Sequence, residues 1–278
     1  MFLTEIIQSA VLGFIQGVSE FLPISSSGHL IIAPWIFNWE DPGLFFDVAL
    51  HFGTLLAVIA YFYKEWIIIF KLALKKSYKL PVCRRGRQAT SYKLQANFLW
   101  IIIIATIPGV LAGLFLENLA ETVFRNPLLI AFNLFFWGLI LFLADDYFKH
   151  NRSLKKINFT DGVLIGLAQA LAIVPGTSRS GITITAGLAR GLDRVTSARF
   201  SFLMLTPIVF GASLLKIKEL ISGFDLAMAL GIICSAVSGY LAIKYLIKFV
   251  EKSNYKIFFW YRLVLAALIL IFYAAIKR

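Results

Sequence analysis

Glu20, Ser25, Ser26, Ser27, Gly28 and His29 follow one another inside an otherwise apolar stretch, and Gln16 stands four residues before Glu20. That spacing places Gln16 and Glu20 on one helical face. Three hydroxyls, a glycine and the free N–H groups of a restarting helix make a cradle for an anion. A carboxylate and an imidazole beside such a cradle suit chemistry on a phosphate ester or anhydride. A Ser-rich turn also serves simply to satisfy backbone groups at a helix break, and alone it would be read that way.

A second segment changes the balance. Pro175, Gly176, Thr177, Ser178, Arg179, Ser180 and Gly181 again place hydroxyls and glycines in an apolar stretch, with an arginine at the centre. Arginine grips phosphate at two points and stays charged throughout. The plainer alternative is an arginine snorkelling from a span end. Displacing the first segment by 153 residues puts Gly13, Gln16, Ser25, Ser27 and Gly28 on Gly166, Gln169, Ser178, Ser180 and Gly181, and puts Ser26 on Arg179. The prolines fall one position apart. Apolar segments broken by Gly, Pro and Ser in corresponding halves of a membrane protein point to a site built where the two meet.

The elements that must hold these residues are membrane helices. The chain of 278 residues is 59% hydrophobic and only 15% charged, with a mean hydropathy of +0.81; soluble domains carry about 25% charged residues. Apolar runs predict spans at Leu44–Tyr63, Gln95–Phe115, Leu128–Phe148, Thr196–Leu215, Leu226–Leu246 and Phe258–Ile276, helical because lipid offers backbone groups no other partner. No basic stretch precedes Lys64, so no cleaved leader is expected. Cys83 and Cys234 lie far apart and form no metal or redox motif.

The net charge of +12 does not indicate nucleic acid. Nine Lys/Arg lie between Lys64 and Lys93, a second cluster is Lys149, Arg152, Lys155 and Lys156, and a third is Lys244, Lys248, Lys252, Lys256 and Arg262. Basic residues near span ends mark cytoplasmic loops beside anionic lipid. With these clusters inside, the connections 38–47 and 117–125 fall outside. Met1–Phe37 and Asp161–Arg190, each broken at its middle, then read as re-entrant hairpins entering from opposite sides. Two tilted, Pro-kinked spans are the alternative. The expected architecture is an all-α integral membrane protein of six spans and two hairpins. It forms a single domain over 1–278, with inverted repeats 1–148 and 161–278.

Other polar residues rank lower. Asp47 and His51 share a helical face and suggest a hydrogen-bonded structural pair, with a second shell or metal site as alternatives. His150 reads as solvated in a basic loop. Asp193, Arg194 and Arg199 read as a span-end charge cluster, and Asn97, Asn133 and Gln169 as interhelical hydrogen bonders.

The run from Gln16 to His29, together with Pro175 to Gly181, resembles the undecaprenyl-diphosphate phosphatase family, also called bacitracin-resistance proteins. Phe46 to Val58 is similar as well, and the hydropathy fits over nearly the whole chain. The resemblance implies a bacterial plasma-membrane enzyme that hydrolyses undecaprenyl diphosphate to the monophosphate and phosphate at the external side, recycling the lipid carrier of cell-wall synthesis. It implies an inverted-repeat helical fold and dependence on a divalent cation, Mg²⁺ or Ca²⁺, with no organic cofactor. Ser26 matches the proposed nucleophile, His29 the motif histidine and Arg179 the diphosphate-binding arginine; Gln16 and Glu20 fill the acidic pair and would be its metal ligands. Gln16 leaves that pair one carboxylate. Ser25, Ser27, Gly28, Thr177, Ser178, Ser180 and Gly181 are the expected substrate-binding residues. The partners expected are the polyprenyl diphosphate and membrane lipid, with a homodimer left open. Sequence leaves Ser26, His29 and water all open as nucleophile. The phosphatidic-acid-phosphatase type also uses a Ser-Gly-His segment, but it needs an upstream Lys/Arg-Pro and a later histidine, which this chain lacks. A transporter or flippase for a polyprenyl phosphate or other anion is the competing class.

Overall fold

A computed structural model describes residues 2–74 and 97–276. The basic stretch 75–93, Cys83 and the start of the span predicted from Gln95 lie outside the described residues. Among the described residues the chain is helical, with one isolated bridge between Arg152 and Leu192 and no strand. The helices are α1 (Phe2–Phe21), α2 (Ser26–Phe37), α3 (Gly43–Tyr61), α4 (Tyr63–Leu74), α5 (Phe98–Glu121), α6 (Pro127–Tyr147), α7 (Phe159–Ala170), α8 (Arg179–Ala189), α9 (Arg194–Leu215), α10 (Ile217–Ser222), α11 (Leu226–Val250) and α12 (Lys256–Ile276).

Among the described residues five helices are long and apolar enough to cross a membrane, and a sixth span is counted if α3 and α4 are taken together. That pair bends by 75°. The bend falls at Phe62, where the span predicted at Leu44–Tyr63 ends. The change comes where apolar α3 gives way to Tyr63, Lys64 and Glu65, whose polar ends favour an interface over lipid.

Helix packing follows a crossed pattern. α1 lies on α11 and α7 on α5, α3 contacts α11 and α9 contacts α5, and α6 pairs with α12. Close approach depends on glycine at corresponding places. A Cβ on Gly13 would stand 2.2 Å from the Gly231 carbonyl oxygen, and one on Gly166 would stand 2.5 Å from that of Ala105. Helices in lipid gain no hydrophobic drive toward each other, so such backbone proximity supplies the packing energy. Phe21, Leu55, Val58, Phe62, Ile165, Ile184 and Phe202 belong to the largest buried apolar cluster among the described residues.

Several polar residues are more deeply engaged than the sequence suggests. Arg262, grouped above with loop cations, is fully buried within α12. His150 is not solvated: its Nε2 bonds the Asp145 carbonyl at 2.9 Å, and its side chain is 16% exposed. The charges around Asp193 are divided among separate partners. Asp193 caps α9 through the amide of Thr196, Arg194 pairs with Asp145 at 2.6 Å, and Arg199 pairs with Glu65. Asn133 and Gln169 do donate across helices, to the carbonyls of Pro175 and Ala105.

Candidate active site

The two breaks share one backbone solution. Ser25 has φ 75° and ψ 90°, Ser178 has φ 71° and ψ 109°, and each is the N-cap of the helix that follows. Positive φ is uncommon for a residue with a Cβ. Here each serine hydroxyl accepts from the amide three residues on, Gly28 at 3.4 Å and Gly181 at 3.1 Å, which satisfies one of the orphan donors of the new helix. Ser25 Oγ also accepts from the amide of Gly176 at 3.1 Å, and Ser180 Oγ donates to the carbonyl of Leu22 at 3.2 Å. The breaks therefore touch, and their serines form much of the joint.

Glu20 stands at the centre of what they enclose. Its side chain is 4% exposed. Oε1 accepts from Arg179 Nη2 at 3.0 Å and Nε at 3.3 Å. Oε2 accepts from Ser26 Oγ at 2.6 Å and from Gln16 Nε2 at 3.1 Å. Residues from α1, α2 and α8, up to 159 positions apart, thus meet on one carboxylate. Arg179 is 13% exposed and ion-paired, which removes the snorkelling alternative. Its Nη1 is anchored on the Ser201 carbonyl at 2.9 Å.

His29 points elsewhere. Its Nδ1 lies 2.7 Å from the Ser25 carbonyl and its Nε2 lies 2.7 Å from the Tyr261 hydroxyl. A carbonyl can only accept, so Nδ1 carries the proton and the neutral ring takes the Tyr261 O–H on Nε2. The ring also stacks on Tyr261, centroids 5.7 Å apart. The group bonded to Ser26 is Glu20, and the His29 lone pair is already occupied.

Ser25, Ser178 and Ser180 are at most 5% exposed, and their hydroxyls are spent on the breaks themselves. Ser27 lies 3.5 Å from Ser25 Oγ. Thr177 presents its carbonyl to Arg262, while its Oγ1 is buried with no partner among the described residues. The first amides of α2 and α8, on Ser26, Ser27, Arg179 and Ser180, precede the intrahelical ladder and are the donors open to an anion.

Three residues join the site that the motifs did not name. His51 Nε2 stands 3.3 Å from Glu20 Oε2. It was read above as paired with Asp47; it bonds only the Asp47 backbone carbonyl, through Nδ1 at 2.7 Å, while the Asp47 carboxylate faces Arg125 at 3.5 Å. Tyr261 holds His29. Arg262 donates to the carbonyls of Gly176 and Thr177 at 2.5 and 2.7 Å, and its Nε and Nη1 have no partner among the described residues. The four-residue spacing of Asp47 and His51, and the family-like stretch Phe46 to Val58 that contains both, were the available signals.

Gln16 and Glu20 make no complete cation site by themselves, although Gln16 Oε1 is buried with no partner among the described residues. Both oxygens of Glu20 are engaged by donors, and a guanidinium already occupies the place of a counter-charge. Among the described residues no group of three His, Cys, Asp or Glu could hold a metal ion.

The description "Bacitracin resistance protein BacA" matches residues 9–268. Proteins named undecaprenyl-diphosphatase align over nearly their whole length. That of Moorella thermoacetica is 50% identical over 265 residues, covering 95% of this chain and 96% of the relative. That of Caldicellulosiruptor bescii is 48% identical over 270 residues, covering 96% and 97%. That of Pelotomaculum thermopropionicum is 45% identical over 271 residues, covering 97% of each. With its two motifs joined on Glu20 and with matches of this extent, the chain belongs to the bacitracin resistance protein BacA family.

Proposed function

We propose that this multi-pass membrane protein is a phosphatase that hydrolyses undecaprenyl diphosphate to undecaprenyl phosphate and inorganic phosphate. The observation that carries the reading is the 2.6 Å contact of Ser26 with Glu20 Oε2, while Arg179 binds Oε1 of the same carboxylate. A base, a nucleophile and a phosphate grip then share one point.

The Arg179 side chain keeps one N–H on Nη1 and one on Nη2 for a phosphate after its bonds to Ser201 and Glu20. The first amides of α2 and α8 add donors aimed at the same charge. Glu20 takes the proton of Ser26, Ser26 Oγ bonds the terminal phosphorus, and the anhydride oxygen leaves with its electron pair on the polyprenyl phosphate. Water then releases the phosphate from Ser26. His29, with both nitrogens held, supports the backbone of the break rather than attacking. No step is assigned to a metal held by Gln16 and Glu20.

Phe52, directly after His51, lines an apolar cleft of about 490 Å³ with Phe210, Leu214, Ile221, Met228 and Ile232. The apolar lining of this cleft makes it the seat we assign to the isoprenoid chain. The crossed packing of α1 on α11 and α7 on α5 supports the inverted repeats 1–148 and 161–278, with α1–α2 and α7–α8 as hairpins. The family to which the chain belongs is the ground for assigning a bacterial inner membrane and a site on the external side; the charge pattern supports only the cytoplasmic side of the basic loops.

The test is phosphate release from undecaprenyl diphosphate by purified protein in detergent, where no membrane exists to transport across. Turnover is expected. Binding of the lipid without phosphate release would favour the transporter class.

A further inference from the structure

The turn that presents Arg179 is held by side chains from two other helices. The carbonyls of Pro175, Gly176 and Thr177, three in succession, all accept from them. Asn133 Nδ2 of α6 donates to Pro175 at 3.1 Å, and Arg262 Nη2 of α12 donates to Gly176 at 2.5 Å and to Thr177 at 2.7 Å. Ser178 and Arg179 follow at once, as the cap and the first residue of α8. Gly176 has φ 88°, and a Cβ there would stand 2.6 Å from the Ile130 carbonyl oxygen, so the turn lies directly on α6.

Satisfying buried backbone does not by itself call for an arginine. Asn133 meets that need at Pro175 with a neutral amide. Arg262 is fully buried, its Nη2 meets only carbonyls, and its Nε and Nη1 have no partner among the described residues. A charge buried in a membrane helix is costly and marks a functional position by default. What it supplies beyond an amide is a long arm ending in a rigid plane. Two N–H groups in that plane fix two successive carbonyls in one orientation. Nη1 lies along the first turn of α8, 3.3 Å from where a Cβ on Gly181 would stand.

We propose that Arg262 is a positioning residue for Arg179, fixing the turn at Gly176 and Thr177 so that the Arg179 guanidinium is held where Glu20 and the diphosphate meet it. The inference rests on the phosphatase reading and adds a residue to the same site. Arg262 acts through two carbonyls and the cap that follows them, and needs no contact with substrate. Its neighbour Tyr261 holds His29 of the other break. Adjacent residues of α12 thus brace both halves of the site.

The experiment is a double-mutant cycle on the full chain in detergent, with undecaprenyl diphosphate as substrate and thermal unfolding followed in parallel. Arg262→Gln and Arg262→Lys are made alone and together with Arg179→Lys. Arg262→Gln is expected to lose about 100-fold in kcat/KM, the effect of misplacing a substrate-holding group by about 1 Å. Arg262→Lys keeps the cation without the planar fork and is expected to lose about tenfold. In the Arg179→Lys protein either change is expected to cost less than about threefold more, because the grip that Arg262 positions is already gone. A residue that only stabilises the fold would multiply its full loss onto that of Arg179→Lys. That result, or wild-type kcat/KM in either folded Arg262 variant, would overturn the proposal. Should Arg262→Gln not fold, Arg262→Lys completes the cycle. A wild-type protein that binds the lipid but releases no phosphate would overturn the phosphatase reading instead, and the same cycle read on the Kd of undecaprenyl diphosphate would still decide the role of Arg262.

Discussion

The break between α1 and α2 and the break between α7 and α8 are nearly the same object built twice. Ser25 and Ser178 adopt matching positive-φ conformations, and each caps its helix through the amide three residues on. Each preceding helix lies against a long partner at a glycine contact. The side chains then diverge. Where the first break carries Glu20, Ser26 and His29, the corresponding positions of the second hold Ile173, Arg179 and Ile182. One copy supplies the base and hydroxyl, the other supplies the cation. The shared features are those that a helix interruption needs in lipid, where every backbone group must find a partner. The unshared features are those that a reaction needs, and neither copy has them all.

The sharpest way to break this comparison is to exchange the charges. Glu20→Gln is expected to reduce phosphate release by at least about 10³-fold, the upper part of the range for a lost general base. Glu20→Arg combined with Arg179→Glu keeps an ion pair between the breaks, so thermal unfolding should recover relative to either single change. Activity should not, because Ser26 would then face a cation. Recovered turnover in the exchanged protein would mean that the two arms are interchangeable.

The serines sharpen the comparison. Ser26→Ala is expected to lose at least about 100-fold in kcat with little change in KM, since the missing interaction belongs to the transition state. Ser25→Ala and Ser178→Ala should behave like one another. Each should cost about 1–2 kcal/mol of stability through a lost cap, read as a lower midpoint in thermal unfolding, with a smaller loss of turnover. Equal impairment of all three serine variants in kcat would leave Ser26 without a special role.

The smallest effect is expected at the contact that only the first break makes. Tyr261→Phe removes the donor to His29 Nε2 while keeping the stacked ring. A loss of a few-fold in kcat is expected, equivalent to one hydrogen bond of about 1 kcal/mol. A loss as large as that of Ser26→Ala would move His29 into the chemistry.

The sequence by itself determined the class of this protein, the spans to within a few residues, and the identity of Gln16, Glu20, Ser26 and Arg179 as neighbours in chemistry. Those followed from composition, from apolar run length and from motifs whose polar residues have no reason to sit in lipid unless they act. It did not assign the roles of the serines. Ser25, Ser178 and Ser180 look like ligands in a motif, yet their hydroxyls hold backbone, and neither the positive φ of the caps Ser25 and Ser178 nor the contact of Ser180 with the Leu22 carbonyl is visible in the sequence. The tertiary structure alone decided Tyr261 and Arg262, and it turned His51 from a pair with Asp47 toward Glu20. His29 and Tyr261 stand 232 residues apart, and Arg262 meets the turn at Gly176 and Thr177 from another helix. In a soluble helix the polar face declares which side meets water. In α3 and α12 both lipid-facing and buried sides are apolar, so periodicity does not mark the side toward Glu20. Only the packing of α3 beside α1, and of α12 along α6, turns those side chains into the site.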